Sequence, residues 1–365
     1  MPDQDPELAR LDLLLRKRPD DPKLHAARTA RCIRLGDWRG LRSEIEWSLH
    51  RLKPEQAAYD RSYLSLLFGE MPEGWDRYEA RYLIPGLVRP KRSFAQPTWD
   101  GSPFAGRTLL LHAEQGFGDT LMFVRYAPRV KALGGRVCLL AQRELADLVA
   151  TCAGLDAVIP EGAPLPEFDL QLPLPSLPRV FRTTLGTVPG DVPYLEAPPQ
   201  VPNREAILEA LAPSAGRRRI ACAWSGNPGH RRDRDRSIPP KVFAQLGALP
   251  ETDWFAFQPE ARSLPPLPGL RNLGPHLKTF SDTAFALKQM DLVVTVDTAL
   301  AHLAGALALP VRLLVHFQPD FRWLLDRDDS PWYPRTRIYR QPQPGQWEPV
   351  LQAVRGDLLA ERPPA

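Results

Sequence analysis

Apolar residues recur at two different spacings along the chain, and the change of spacing divides it. Over residues 5–85 they return every three to four positions, as from Leu8 to Lys17 and from Leu24 to Leu35, which predicts amphipathic helices. From residue 107 onward, short continuous apolar runs alternate with helical stretches. Such runs, bounded by turn residues, are typical of strands buried on both faces of a parallel sheet. The pattern predicts a helical segment followed by α/β structure.

The helical segment carries an internal repeat. The triplets that begin at Gly36 and Gly69 lie 33 residues apart, between successive helix pairs, and Pro19 and Pro54 are each expected to close a helix. A helix-turn-helix unit of about 34 residues resembles the tetratricopeptide repeat. Because such units cannot bury their faces alone, we expect the segment to pack onto the next domain.

Two series of strands and helices follow a linker rich in proline and glycine. The predicted strands are 107–113, 136–141, 157–160 and 168–174 in the first series, and 219–225, 253–258, 291–296 and 311–317 in the second. This alternation predicts parallel sheets joined by right-handed crossovers. Ligands of such sheets bind beyond the carboxyl ends of the strands, so a deep cleft between two lobes is expected to hold the site.

These patterns predict four parts of the chain. They are a tetratricopeptide-like helical segment (1–90), a linker (91–106), an N-terminal Rossmann-like lobe (107–200) and a C-terminal Rossmann-like lobe (201–365).

Composition narrows the class of partner. The 47 basic and 43 acidic residues leave a formal net charge of +4, too small an excess to indicate nucleic acid. The four cysteines form no CxxC pair, which predicts buried free thiols in a reducing compartment. The N-terminus lacks the apolar region of a signal peptide, and no run approaches the ~18 apolar residues of a membrane span. We therefore expect a cytoplasmic protein without a transmembrane segment.

The first candidate site is the loop after the first predicted strand, which reads Gly116-Phe117-Gly118-Asp119-Thr120. Its glycines allow a tight turn and a close approach to a ligand. The spacing is not that of the dinucleotide fingerprint GxGxxG. Instead, an aspartate stands at the start of a helix, where its carboxylate could take a proton from an attacking hydroxyl. A simple helix cap at Asp119 is the alternative.

The second candidate site follows the strand 291–296. Asp297, Thr298 and Ala299 open a helix of small residues whose free N–H groups and dipole could bind a diphosphate. His302 lies four residues after Thr298, on the same face of the helix. The alternative is a histidine satisfied within the core beside a capping aspartate.

The third candidate is the arginine-rich loop after residue 225. Arg231, Arg232, Arg234 and Arg236 could clamp a diphosphate, whereas the interleaved Asp233 and Asp235 also fit a solvated loop with internal ion pairs. We assign no metal to this Asp-x-Asp pair, because the arginines compete for its carboxylates, and no metal-binding motif is present elsewhere.

Two further positions are weaker candidates. Gln258 closes a strand at the same edge of the second sheet, where its side chain could meet a ribose or a base. The aromatic stretches 321–323 and 330–334 fit packing of the C-terminal arm, which we favour, or a platform for a sugar.

Together these motifs, in this order, resemble glycosyltransferase family 9, the heptosyltransferase-like enzymes, over about residues 107–340. The resemblance implies the GT-B fold of two Rossmann-like lobes, with Asp119 as catalytic base. It implies donor binding by Asp297, Thr298 and His302. The basic position that contacts donor phosphate is Arg236, where the family usually has lysine, and Ile238 replaces a tryptophan. The donor-binding set that we predict is Gly116, Gly118, Thr120, Arg236, Gln258, Asp297, Thr298, Ala299 and His302.

The implied activity is transfer of a sugar from a nucleotide-diphosphate-sugar donor to a hydroxyl of a glycan, a lipid-linked acceptor or a protein. It would be inverting, independent of metal and without a cofactor. Two alternatives stay open. One is an inactive GT-B scaffold that binds proteins through its helical repeats, and the other is a nucleotide-sugar epimerase on the same fold.

Overall fold

The helical segment is built from five successive helices, each packed against the next. The computed structural model describes residues 5–88, 90, 92–214, 216–229, 233–259, 263–318 and 320–361. Asp5, Asp21 and Asp37 accept backbone N–H groups at the starts of the first three helices, as capping aspartates do. The helices are α1 (Pro6–Lys17), α2 (Pro22–Leu35), α3 (Trp38–Leu49), α4 (Pro54–Leu67) and α5 (Met71–Tyr78), followed by a 3-10 helix, Glu79–Leu83.

The strands form two parallel sheets. The first sheet has the order β3-β2-β1-β4 and the second the order β10-β9-β8-β5-β6-β7, with every pairing parallel. The strands are β1 (Thr108–His112), β2 (Arg136–Ala141), β3 (Ala157–Pro160), β4 (Leu170–Pro173), β5 (Arg218–Ala223), β6 (Thr252–Ala256), β7 (Leu270–Asn272), β8 (Leu292–Val296), β9 (Val311–Val315) and β10 (Thr336–Arg340).

Helices connect the strands and cover both sheets. Those of the first lobe are α6 (Phe117–Phe123), α7 (Ala127–Lys131), α8 (Ala146–Val149) and α9 (Leu177–Val180). Those that follow are α10 (Arg204–Leu211), α11 (Asp233–Arg236), α12 (Pro240–Phe243), α13 (Phe280–Leu287), α14 (Ala299–Ala306) and α15 (Glu348–Ala360). No helix in the described part of the chain combines the length and apolar character needed to span a bilayer.

The second sheet has the strand order of a dinucleotide-binding Rossmann fold. Counted from β5, its order is 3-2-1-4-5-6, and the direction of winding reverses between β5 and β8. The first sheet repeats the shorter order 3-2-1-4, with its reversal between β1 and β4. The predicted α/β fold class, two Rossmann-like doubly wound lobes behind a helical segment as in GT-B, is confirmed. The domain boundaries given above remain predictions.

One hydrophobic core joins the helical segment to both lobes. Trp75 of α5, which is 1% exposed, lies edge-on against Phe123 of the first lobe and against Phe321 and Trp332 of the second. The ring centroids are 5.7 to 6.4 Å apart. The prediction that the segment packs onto the next domain is confirmed. Whether its helices are true tetratricopeptide repeats stays a prediction.

Three local features differ from the sequence-based expectations. Pro54 is the first residue of α4 rather than the end of a helix, because a proline at that position gives up an N–H that would be unpaired anyway. The strands β7 and β10 were not predicted, since both carry polar or charged residues within short runs.

The prediction of buried free thiols is confirmed for all four cysteines.

Candidate functional site

Asp119 stands at the carboxyl edge of the first sheet, three residues after the N-cap of α6. Its Oδ2 accepts the backbone N–H of Gly116 at 3.2 Å, so the carboxylate does cap its own helix. Its Oδ1 forms an ion pair with Nη2 of Arg322, which belongs to the other lobe. The side chain is 14% exposed. The capping role and a place in the cleft are therefore compatible, because one carboxylate oxygen serves each.

Arg322 contacts a predicted site residue, although the sequence analysis did not include it in the candidate site. It lies in the loop after β9, where Asp320 accepts two contacts from Nη1, at 2.9 and 3.1 Å, and a third from the Arg322 backbone N–H. The guanidinium also sits 4.4 Å from the ring centroid of Phe321. Burial lowers the pKa of Arg322, but Asp119 and Asp320 outweigh it and hold that pKa well above the usual range. A permanent cation therefore bridges the two lobes.

His302 packs against the glycine loop of the opposite lobe. A Cβ on Gly118 would come within 2.8 Å of His302 Cδ2, so the missing side chain of Gly118 makes room for the imidazole. His302 Nδ1 is 2.8 Å from the Tyr333 hydroxyl, and the ring stacks on Trp323. Burial lowers the pKa of His302 to about 3, which keeps it neutral. The histidine thus joins α14 to the loop that carries Asp119.

Asp297 and Thr298 form the start of α14 at the reversal point of the second sheet. Thr298 is the N-cap, and its buried Oγ1 has no hydrogen-bond partner among the described residues. Arg236 Nη1 donates to the Asp297 carbonyl at 3.0 Å, which brings two of the predicted donor-binding positions together. Burial raises the pKa of the Asp297 carboxyl to about 6, helped by Asp320.

Two predicted positions are engaged within their own lobes. Thr120 Oγ1 donates to Gln142 Oε1 at 2.9 Å and the residue is 1% exposed, so its hydroxyl is used inside the first lobe. Gln258 Oε1 accepts the Ser225 N–H at 3.3 Å, which ties the end of β6 to the end of β5. Gly116 and Ala299, in contrast, flank the cleft as the N-cap of α6 and the first residue of α14.

The arginine-rich loop contributes one inward-facing arginine from its described part. Arg236 Nε also pairs with Asp233 at 3.2 Å, whereas Arg234 is exposed. Arg231 and Arg232, predicted as further diphosphate ligands, lie outside the described residues. In the part of the chain that the structure describes, no cluster of three or more His, Cys, Asp or Glu residues could hold a metal ion.

The aromatic residues near the C-terminus are packed, as we favoured. Trp323, Trp332 and Tyr333 are each 1% exposed or less. Their rings pack against His302 and Arg125 rather than offering an open face to a sugar.

Comparison with known proteins gives one sequence relative. The chain is 27% identical over 388 residues to protein FlbA of Caulobacter vibrioides, a match that covers 94% of this chain and 62% of FlbA. The chain therefore spans less than two thirds of that relative's length. No protein-family model matches the chain.

Three solved glycosyltransferases are similar in structure to part of this chain. The glycosyl transferase family 9 protein from Veillonella parvula has a TM-score of 0.49 and 9% identity, covering 67% of this chain and 88% of that one. The ADP-heptose LPS heptosyltransferase II of E. coli has a TM-score of 0.46 and 14% identity, covering 69% and 99%. The E. coli heptosyltransferase WaaC, with ADP-2-deoxy-2-fluoro heptose, has a TM-score of 0.43 and 15% identity, covering 69% and 98%.

Proposed function

We propose that this chain is a glycosyltransferase that moves a sugar from a nucleotide-diphosphate-sugar donor to an acceptor hydroxyl. One observation carries the proposal. The Asp119 carboxylate of one lobe is paired with Arg322 of the other. In addition, α6, which carries Asp119, contacts α14, and Arg236 binds the carbonyl of Asp297 just before α14. Direct sugar transfer, without a covalent intermediate, requires two groups. One is a base for the acceptor hydroxyl, and the other is a helix start that binds the anionic leaving group.

The second lobe supplies the donor end of the site. The reversal point between β5 and β8 is the place where Rossmann-like sheets bind nucleotides. There, the first N–H groups of α14, the unpartnered Thr298 hydroxyl and the Arg236 guanidinium can all donate to a diphosphate. These donors stabilise the charge that develops on the leaving phosphate oxygen.

The first lobe supplies the acceptor end. Asp119 removes the proton of the acceptor hydroxyl while that oxygen attacks the anomeric carbon. The new carbon–oxygen bond forms as the bond to the diphosphate breaks, the proton stays on Asp119, and the electron pair leaves with the nucleoside diphosphate. Attack from the face opposite the leaving group inverts the anomeric centre. The resemblance to family 9, together with this geometry, supports an inverting reaction that needs no metal.

Arg322 links the two ends electrostatically. It already pairs with both Asp119 and Asp320, and Asp297 adds a third carboxyl near the same guanidinium. A diphosphate that enters the cleft competes with Asp119 for the Arg322 guanidinium. Donor binding therefore frees one oxygen of the base, in the step that places the anomeric carbon.

The scaffold alternative has one observation in its favour. Both carboxylate oxygens of Asp119 are engaged, one by Arg322 and one by the Gly116 N–H. A chain that binds nucleotide sugar but never releases Asp119 would be a binding protein without turnover. The acceptor class and the cytoplasmic location are parts of the proposal that the sequence alone supports.

The donor end can be tested without knowledge of the sugar. We would titrate the protein with ADP, GDP, UDP, CDP and dTDP at fixed ionic strength and follow the melting temperature. We expect one diphosphate to stabilise the wild type, and Arg236→Ala to weaken its binding by about tenfold, in line with loss of a charge-assisted hydrogen bond. Arg234→Ala, an exposed arginine of the same helix, is the matched control and should bind normally.

Absence of any shift at millimolar diphosphate, with folded protein, would contradict donor binding. Equal weakening by both arginine variants would show that net charge, rather than the Arg236 contact, governs the affinity.

A further inference from the structure

The helical segment occupies the ligand-binding crevice of the first sheet. The winding of that sheet reverses between β1 and β4, which is where open α/β sheets hold their ligands. Glu114 follows β1, and Ser176 follows β4. Arg81, from the 3-10 helix after α5, contacts both of them, so a side chain of the helical segment fills the reversal point.

The contacts of Arg81 are buried and extensive. Its side chain is 0% exposed, and its Nε donates to Glu114 Oε1 at 2.6 Å. Its Nη2 donates to Ser176 Oγ at 2.8 Å and its Nη1 to Glu79 Oε1 at 2.6 Å. Tyr82, one residue later, donates its hydroxyl to the second oxygen of Glu114. The planar guanidinium thus fixes the carboxylate in position and orientation, as a lysine could not.

A short path of contacts runs from Arg81 to the proposed base. Gln115, next to Glu114, has a φ of +67°, a conformation that residues other than glycine adopt only when their surroundings enforce it. Its side-chain amide lies 3.4 Å from the Tyr78 hydroxyl of α5. The following residue, Gly116, donates its N–H to Asp119. The helical segment therefore holds the first two residues of the loop that carries Asp119.

We propose that Arg81 is a positioning residue for this loop and that the helical segment is an obligatory part of the active site. Arg81 holds Glu114, Glu114 and Tyr78 impose the turn at Gln115, and the turn aims the Asp119 carboxylate into the cleft. The role of Asp119 as base rests on the proposed function, whereas the control of the loop by Arg81 rests on the contacts alone. The helical segment would then affect the rate of sugar transfer by orienting Asp119, in addition to any recruitment of an acceptor.

If Arg81 only anchored the helical segment to the first lobe, its loss would affect the loop 114–119 no more than the loss of another anchoring contact. The chain offers such a contact as a matched control. Asp76 of α5 makes a second set of ion pairs to the same lobe, with Arg182 at 2.6 Å and with Arg179 at 3.4 Å. This contact joins the same two parts of the molecule but does not involve the loop 114–119. Breaking it tests attachment without touching the loop.

The experiment compares full-length wild type, Arg81→Met/Glu114→Gln and Asp76→Asn. The double variant removes both charges together, because removing one would leave the other buried without a partner. Hydrogen exchange of the peptide covering residues 114–123 is measured beside nucleotide-sugar turnover and diphosphate affinity. We expect faster loop exchange and a loss of turnover of about 10- to 100-fold in the double variant, with affinity preserved, since small misplacements of a reacting group have effects of this size. Asp76→Asn should match the wild type in all three.

Loop exchange and turnover in the double variant that equal those of Asp76→Asn would overturn the proposal. If the wild type turns over no nucleotide sugar, the proposed function fails, and loop exchange by itself still decides whether the Arg81–Glu114 pair sets the loop. The two failures are therefore distinguishable.

Discussion

Asp119 is held by two partners whose demands differ. The Asp119 carboxylate accepts the Gly116 N–H and so stabilises the start of α6. The same carboxylate also balances the buried charge of Arg322. A base must keep a free lone pair directed at its substrate, so in the proposed reaction donor binding has to displace Asp119 from Arg322 before the acceptor reacts. Since Asp320 remains bound to Arg322 at 2.9 Å, the guanidinium keeps a partner when Asp119 leaves it.

His302 gives a pH dependence of stability whose sign can be worked out. Its pKa is about 3 in the folded chain, below the ordinary 6.5, so only the unfolded chain takes up the proton between these values. The stabilisation is complete above pH 6.5 and is lost as the pH falls towards 3. Between pH 7 and 4.5 the wild type should lose about 2–3 kcal/mol of unfolding free energy from this group.

The variant His302→Gln should therefore show a flatter pH profile of unfolding free energy, measured by urea denaturation at each pH. The slopes of unfolding free energy against pH are compared, not the absolute values. The variant also loses the Tyr333 contact, which lowers its unfolding free energy at every pH. His50→Gln, at an exposed histidine of the helical segment, should keep the slope of the wild type. An unchanged slope in His302→Gln would contradict the buried neutral imidazole.

The residues of the site were predictable where a loop follows a buried strand. Asp119, Asp297 and His302 all lie on such loops or on the helix turn after them, so their spacing from the strand placed each at the carboxyl edge of its own sheet. Arg322 was not predicted, because the loop that carries it after β9 has no glycine-rich motif and its aromatic neighbours indicated packing. Its partner Asp119 is 203 positions away in the sequence, and no local pattern encodes such a pairing.

At the level of elements, the approach of α6 to α14 determines how the lobes meet. The two helices begin at the carboxyl edges of different sheets and contact each other across the cleft. Gly118 lies where the backbone of α6 meets the His302 ring. The eight strands with continuous apolar runs were predictable from the sequence, but β7 and β10 owe their strand structure to the neighbours β6 and β9 that they pair with.

Gly118→Ala should destabilise the protein by about 1–3 kcal/mol, the usual effect of overpacking a filled site. The new Cβ would lie 2.8 Å from His302 Cδ2, which can move only by disturbing Tyr333 and Trp323. Gly116→Ala is the control, because its Cβ would meet only Asp119 Oδ2, at 3.6 Å. Urea denaturation measures both, and equal effects would show that the lobes are not in tight contact at Gly118.

At the level of the whole molecule, the three parts share one core. The helical segment contacts the first lobe through Arg81. It contacts the second lobe through Tyr63 and Trp38, which pack against Phe321 and Phe317. The sequence predicted that the segment would pack onto a neighbouring domain. It could not show that both lobes are contacted, because such contacts depend on residues more than 200 positions apart.

A shared core predicts that the helical segment and the lobes unfold together. Hydrogen exchange across a urea series should give one common midpoint for peptides of α4–α5 and of both sheets. Trp75→Ala should lower stability by about 3–5 kcal/mol and loosen α4–α5 first, because it removes the ring that touches all three parts.

Trp99→Ala is the matched control for Trp75→Ala, since this buried tryptophan contacts Phe104 of the linker and Phe181 of the first lobe. It should destabilise that lobe without detaching the segment. A lower midpoint for α4–α5 than for the sheets in the wild type would contradict the shared core.

In the proposed reaction, one lobe binds the nucleotide while Asp119 of the other activates the acceptor. The most direct measurement is the rate of nucleoside diphosphate release from a nucleotide sugar in wild type and Asp119→Asn, with diphosphate affinity measured on the same samples. We predict that Asp119→Asn binds the diphosphate as the wild type does and loses about 10²- to 10⁴-fold in turnover, the usual contribution of a general base. Undiminished turnover in Asp119→Asn, in the presence of normal binding, would contradict the assignment of the base.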